Sequence, residues 1–260
     1  LDSDGEMAID QLIEDGDNYY YVDINGVMAA NQWVAIDNED AGQDNEPDHY
    51  WYYFQANGKA LKNGDNAKVA LKTINGKKYA FDDEGKMLYG WVSEDNAERV
   101  DDTDGDGFKE GTYYFGGEDE GWRTENQWLW LERSGLIDVD EDEQDQVLGC
   151  TDSDTDMCDD EGWYWFQSSG KIYNGAAKKK INGRYYMFNE HGQMLYEWIN
   201  GAKVGVGSNA ELDGNNAPAS ISDMLYTNVV EEGWRADGWY EIDGSEDVGT
   251  ENDTDWYYFK

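Results

Sequence analysis

The 260-residue sequence predicts an all-β chain, a solenoid-like array of stacked β-hairpin repeats with acidic loop insertions. Three observations carry that prediction. Short aromatic segments, such as WYYF at residues 51–54 and WYWF at 163–166, recur along the chain and are followed closely by Gly. Thirty Gly and only two Pro, among abundant Asn and Asp, mark many tight turns rather than long helices. The sequence also matches itself, which is the signature of repeat architectures.

The repeats run in order. A late part of one unit opens the chain as YYYVDINGVMAANQW from Tyr19. WYYFQANGKALKNG begins at Trp51 and returns as WYWFQSSGKIYNG at Trp163, 112 positions later. INGKKYAFDDEGKMLYGW, ending at Trp91, returns as INGRYYMFNEHGQMLYEW, ending at Trp198, an offset of 107. YYFGGEDEGWRTENQW from Tyr113 pairs with LYTNVVEEGWRADGW from Leu225 through Gly121-Trp122-Arg123 and Gly233-Trp234-Arg235. WYYFK at Trp256 starts a further copy. One continuous array over 1–260 is expected, with units 1–50 (partial), 51–162, 163–255 and 256–260 (partial). Leu1 in place of Met, and the cut units at both ends, point to a fragment of a longer protein.

Inside each unit a motif of about twenty residues repeats: an aromatic strand, a turn with Gly, a short return strand with Met or Leu, and often Gly-Trp. In KKYAFDDEGKMLYGW the reading is strand at 77–81, turn at 82–85 and return strand at 86–91. A lone hairpin cannot bury its aromatic face, so neighbours must stack in a quasi-one-dimensional array. Acidic inserts of variable length, around 37–50, 93–110, 132–161, 200–222 and 243–255, are expected between the hairpins as edge decorations.

Charge narrows the partners. Nineteen Lys+Arg against 58 Asp+Glu give a formal net charge of −39, which repels nucleic-acid phosphates and anionic membranes, so no nucleic-acid partner is expected. Twelve Trp, 19 Tyr and 7 Phe are far too many for an acidic disordered tail. No run of eighteen apolar residues exists to span a membrane as a helix.

These residues resemble the cell-wall-binding repeat family, which includes choline-binding modules, glucan-binding repeats of glucansucrases and C-terminal repeats of clostridial toxins. The shared grammar is Gly-Trp, a short spacer, an aromatic triplet, then Gly and a hydrophobic residue. It covers about half the chain, the acidic inserts lying outside it. The resemblance implies a secreted or surface-attached extracellular protein of Gram-positive bacteria. Its implied partners are a cell-wall polymer such as choline-bearing teichoic acid, or an α-glucan. In choline-binding members aromatic side chains at hairpin junctions cage a quaternary ammonium by cation–π attraction. The candidate walls here are Trp51, Tyr53, Trp91, Trp163, Trp165, Trp198 and Trp256. Lys78 in KKYAF and Arg184 in GRYYMF stand where the first aromatic of the triplet is expected. A cation there repels choline, and those two junctions look more like glucan-binding or toxin-type repeats.

Other chemistry is sparser. Asp102, Asp104, Asp106 and Glu110 alternate with Gly as oxygen ligands wrapping Ca²⁺ would, making calcium the one candidate cofactor. Position twelve of that loop is Tyr113 rather than Glu, and the alternative is a solvated acidic turn. Cys150 and Cys158 are expected to close a local disulfide in an extracellular chain. His49 and His191 pair with no nucleophile, no Gly-rich phosphate loop follows a strand, and no catalytic residue is assigned. The expected function is therefore a noncatalytic extracellular module that attaches its parent protein to a bacterial surface or glycan polymer. The runner-up is a structural stalk or adhesin scaffold in which the aromatics only pack and the acidic inserts meet a protein partner or Ca²⁺.

Overall fold

The computed structural model describes residues 5–43, 46–95, 97–100, 111–132, 161–175, 177–189, 192–204, 220–244 and 253–260. Among them the strands form eight antiparallel hairpins, each its own two-stranded sheet. The pairs are β1 (Gln11–Asp15) with β2 (Asn18–Val22), β3 (Gln32–Asp37) with β4 (His49–Phe54), β5 (Lys72–Ile74) with β6 (Lys77–Tyr79), and β7 (Trp91–Ser93) with β8 (Gly111–Tyr114). They continue as β9 (Gln127–Glu132) with β10 (Glu161–Phe166), β11 (Lys179–Ile181) with β12 (Arg184–Tyr186), β13 (Trp198–Asn200) with β14 (Met224–Tyr226), and β15 (Gly238–Ile242) with β16 (Asp255–Phe259). Among the described residues the fold is all-β, with a 3₁₀ turn at Ile221–Asp223. No helix of the described residues is long and apolar enough to cross a membrane. The chain divides into two compact units, Leu1–Thr124 and Glu125–Lys260.

Two details of the hairpins differ from the sequence reading. Lys77–Tyr79 pairs backwards with Lys72–Ile74 across Asn75-Gly76, not forwards across 82–85. Asn75 and Gly76 have φ of 50° and 83°, and Asn182 and Gly183 repeat this at 50° and 89°. Positive φ at both central residues is the two-residue turn that matches strand twist. The 82–85 segment is a turn too, with the Asp82 carboxylate accepting from the Glu84 and Lys86 amides, but it returns only as far as an isolated Phe81–Met87 bridge. The second difference is the place of the acidic inserts. They lie at the tips of hairpins, between paired strands, rather than between hairpins: 38–48 joins β3 to β4 and 133–160 joins β9 to β10. Strands that belong together are thus separated by long polar connections, and their pairing is set by aromatic packing rather than by turn chemistry.

Three short hairpins, β1–β2, β5–β6 and β11–β12, are therefore set among long-tipped ones. Each long hairpin puts alternate residues on opposite faces. One face is sealed: Phe54, Phe115 and Phe166 are fully buried. The other carries cross-strand aromatic pairs, Trp33 opposite Tyr53 in β3–β4 and Trp128 opposite Trp165 in β9–β10. The following short hairpin covers that pair with its own fully buried Phe, Phe81 in the first unit and Phe188 in the second. Single backbone bonds then tie each post-hairpin segment to the hairpin before: Met87 N–H donates to Trp51 C=O at 2.8 Å and Arg123 N–H to Lys78 C=O at 2.7 Å. Met194 to Trp163 and Arg235 to Tyr185 repeat the two bonds in the second unit. Asp102, Asp104, Asp106, Glu110, Cys150, Cys158 and His191 lie outside the described residues.

Candidate functional site

A cavity of about 190 Å³ opens in the second unit, lined by Trp128, Trp163, Tyr186, Met194, Glu231, Glu232 and Trp234. Each wall has a local cause. Trp128 and Trp163 come from β9 and β10 on the face that alternation turns toward the short hairpin. Trp128 lies 4.9 Å from Tyr186 and stacks on Phe188 at 5.7 Å and 15°. Tyr186 ends the short strand β12, and Met194 is held by its amide on Trp163. Trp234 enters from Gly233-Trp234-Arg235, anchored by a bridge to Tyr186. Gly233 has φ of 61°, which strains any residue with a side chain, and a Cβ on it would lie 2.1 Å from Met194 Sδ, so its substitution also displaces the methionine wall.

Charge at the cavity is mixed. Glu231 and Glu232 place two exposed carboxylates on the lining. Arg184 stacks its guanidinium on Trp234 with Cζ 3.4 Å from the ring centroid. Burial raises the Tyr186 hydroxyl above its ordinary value, opposed by the Arg184 charge and its hydrogen bond. The cation that the sequence reading placed at the cage wall thus caps a tryptophan that lines it. Its counterpart in the first unit is Lys77, whose Nζ lies 3.1 Å from the Trp122 centroid, and not Lys78. Aromatic faces beside carboxylate acceptors suit a ring bearing hydroxyl groups: stacking on the apolar face, hydrogen bonds at the edge.

The aromatic residues singled out from the sequence fall in four settings. Trp163 is a wall of the cavity, and Trp165 packs beside it against Trp128 at 5.4 Å. Trp51 and Tyr53 occupy the matching positions of the first unit. Trp91 and Trp198 are buried, Trp91 against Tyr114 and Trp198 against Tyr226, Tyr257 and Phe259. Trp256 is exposed on β16, as are Tyr258 of the same strand and Trp239 of β15. The other walls, Trp128, Tyr186, Met194, Glu231, Glu232 and Trp234, lie outside that set. The sequence did hold a signal for Trp234, the repeated Gly-Trp-Arg triplet. Among the described residues no group of three or more His, Cys, Asp or Glu side chains is placed to hold a metal ion.

No family model matches the chain. A stretch of 98 residues, 37% of the chain, is 34% identical to glucosyltransferase-S of Streptococcus mutans serotype c, and the match spans 6% of that protein's length. Among solved structures, the modular autolysin LytC from Streptococcus pneumoniae is similar over 92% of this chain and 46% of its own, at 16% identity and a TM-score of 0.38. Truncated alternansucrase from Leuconostoc mesenteroides is similar over 63% and 10%, at 15% identity and a TM-score of 0.37. The repeats resemble those of cell-wall-binding and glucan-binding repeat proteins.

Proposed function

We propose that this chain is a noncatalytic, extracellular binding module that attaches its parent protein to a glycan polymer of the bacterial surface, with α-glucan as the preferred ligand. The observation that carries the reading is the cavity walled by Trp128, Trp163, Tyr186 and Trp234 and edged by Glu231 and Glu232. Flat rings stack on sugar faces, and the carboxylates and the Arg184 guanidinium supply acceptors and donors for hydroxyls. Arg184 already occupies one face of Trp234, so it competes with a quaternary ammonium for the cation–π contact that this ring offers. The identity with a glucosyltransferase supports the same choice. Repetition of such sites along an array converts weak contacts into avidity.

The test is affinity electrophoresis through dextran beside retention on choline resin and purified cell walls, for the native chain and for Trp163→Ala and Trp234→Ala. Retardation by dextran that both substitutions weaken supports the reading. Retention on choline resin alone replaces α-glucan by choline-bearing teichoic acid. Retention on none of the three favours the scaffold reading, which the close packing of Trp91 and Trp198 also supports.

A further inference from the structure

The first unit repeats the cavity's construction residue for residue. Trp33 lies 4.9 Å from Tyr79 at 57°, as Trp128 does from Tyr186, and 5.8 Å from Phe81, as Trp128 does at 5.7 Å from Phe188. Trp51, Met87 and Trp122 match Trp163, Met194 and Trp234, and Lys77 caps Trp122 as Arg184 caps Trp234. A Cβ on Gly121 would lie 2.1 Å from Met87 Sδ, the same close approach as at Gly233. Asp119 and Glu120 precede Gly121 as Glu231 and Glu232 precede Gly233.

The contacts around Asp119 differ. Asp119 Oδ1 accepts from the Trp51 indole Nε1 at 2.9 Å and lies 3.0 Å from His49 Nε2. Its counterpart Glu231 lines the open cavity beside Trp163. The cause is an exchange of two neighbours. In the second unit Trp130 stands opposite Trp163, and Glu161 accepts from the Trp130 indole at 2.8 Å. In the first unit the position of Trp130 is Ala35 and that of Glu161 is His49. The small Ala35 leaves His49 edge-on to Trp51, centroids 5.5 Å apart at 81°, where ring nitrogen and indole N–H converge on one carboxylate oxygen. Those two hydrogen bonds hold the Asp119 carboxyl below its ordinary value.

We propose that the first unit holds a second site for the same α-glucan ligand, built from Trp33, Trp51, Tyr79, Met87 and Trp122, and that Asp119, bonded across Trp51 and His49, holds it closed. The inference rests on the reading of the cavity as a glucan site. Asp119 is exposed, so the closure is weak and a ligand opens it at modest cost. A single exposed hydrogen-bonded contact of this kind lowers affinity roughly five-fold.

Calorimetric titration with isomaltotriose separates the two sites. Trp163→Ala disables the cavity of the second unit, so the remaining binding reports the first. Adding Asp119→Ala to that variant tightens the remaining binding about five-fold by this argument, and adding Trp51→Ala instead abolishes it. His49→Ala, which leaves the carboxylate in place, gives a smaller gain in the same direction. Unchanged or weaker binding in the Asp119→Ala double variant overturns the closure, as does absence of binding in both Trp163→Ala and its Asp119→Ala derivative while the native chain binds one equivalent; in either case the cavity of the second unit stands. Binding by the double variant when the native chain binds nothing upholds the closed site and removes the open one. No binding by any variant removes both. Retained native melting temperatures show that each substituted chain is folded.

Discussion

Asp82 gives the sharpest quantitative test of how this fold carries its charge. Its carboxylate, half-buried in the turn after β6, accepts the Glu84 and Lys86 amides at 2.9 and 2.8 Å. Burial nonetheless dominates and raises its pKa from the ordinary 3.8 to about 6. The folded state therefore prefers the protonated acid, and the stability it contributes is complete below pH 3.8 and lost as pH rises through about 6. A displacement of about two pH units corresponds to about 3 kcal/mol of penalty at pH 7.5, at roughly 1.4 kcal/mol each. The second unit avoids it: Asn189 fills the equivalent turn and accepts the Gln193 amide at 2.9 Å. Asp82→Asn keeps the acceptor and removes the buried charge, so it should stabilise the protein by about 3 kcal/mol at pH 7.5 and by about half that at pH 5. Urea denaturation of both proteins at the two pH values measures this, pH 5 lying above the pI of about 4.1. Acidification also relieves repulsion among the other carboxylates, but equally in both proteins, so the difference between them isolates Asp82. A destabilising Asp82→Asn, or a difference that does not shrink on acidification, refutes the reasoning.

Other consequences are simpler. Phe188→Ala removes a fully buried ring that stacks on Trp128 and meets Tyr173 edge-on, and should cost about 3–5 kcal/mol in denaturant unfolding of the second unit. Gly233→Ala forces a side chain at φ of 61° against Met194 and should lower the melting temperature and weaken dextran retardation together; an unchanged melting temperature would show that Met194 has room to move. If Asp102, Asp104, Asp106 and Glu110 bind calcium, millimolar Ca²⁺ raises the melting temperature beyond equal Mg²⁺, and Asp104→Asn with Asp106→Asn removes the excess. Equal effects of the two ions leave a solvated acidic turn.

The sequence by itself determined the all-β class, the aromatic strands and the fact that they repeat; it misplaced the partner of Lys77–Tyr79 and the return strand expected at 86–91. Aromatic content marks residues 51–54 and 163–166, and the 112-residue offset pairs Trp122 with Trp234 before any contact is known. It also marked Trp51 and Trp163 as equivalent, and the grammar of Gly-Trp and aromatic triplets carried the family resemblance. What it did not contain was partnership. β9 and β10 are separated by residues 133–160, and no local signal says that Trp130 will face Trp163 across that gap. Pairing is fixed by which aromatic faces bury one another, a non-local sum over side chains from several hairpins. For the same reason Trp91 and Trp198, alike in sequence to the cavity tryptophans, end up inside hairpin cores. The tertiary structure alone decided that the acidic inserts are hairpin tips, that Lys77 rather than Lys78 caps an indole, and that Ala35 and His49 in place of Trp130 and Glu161 draw Asp119 onto Trp51. Periodicity specifies which way a side chain points from its own strand; only packing specifies what it meets there.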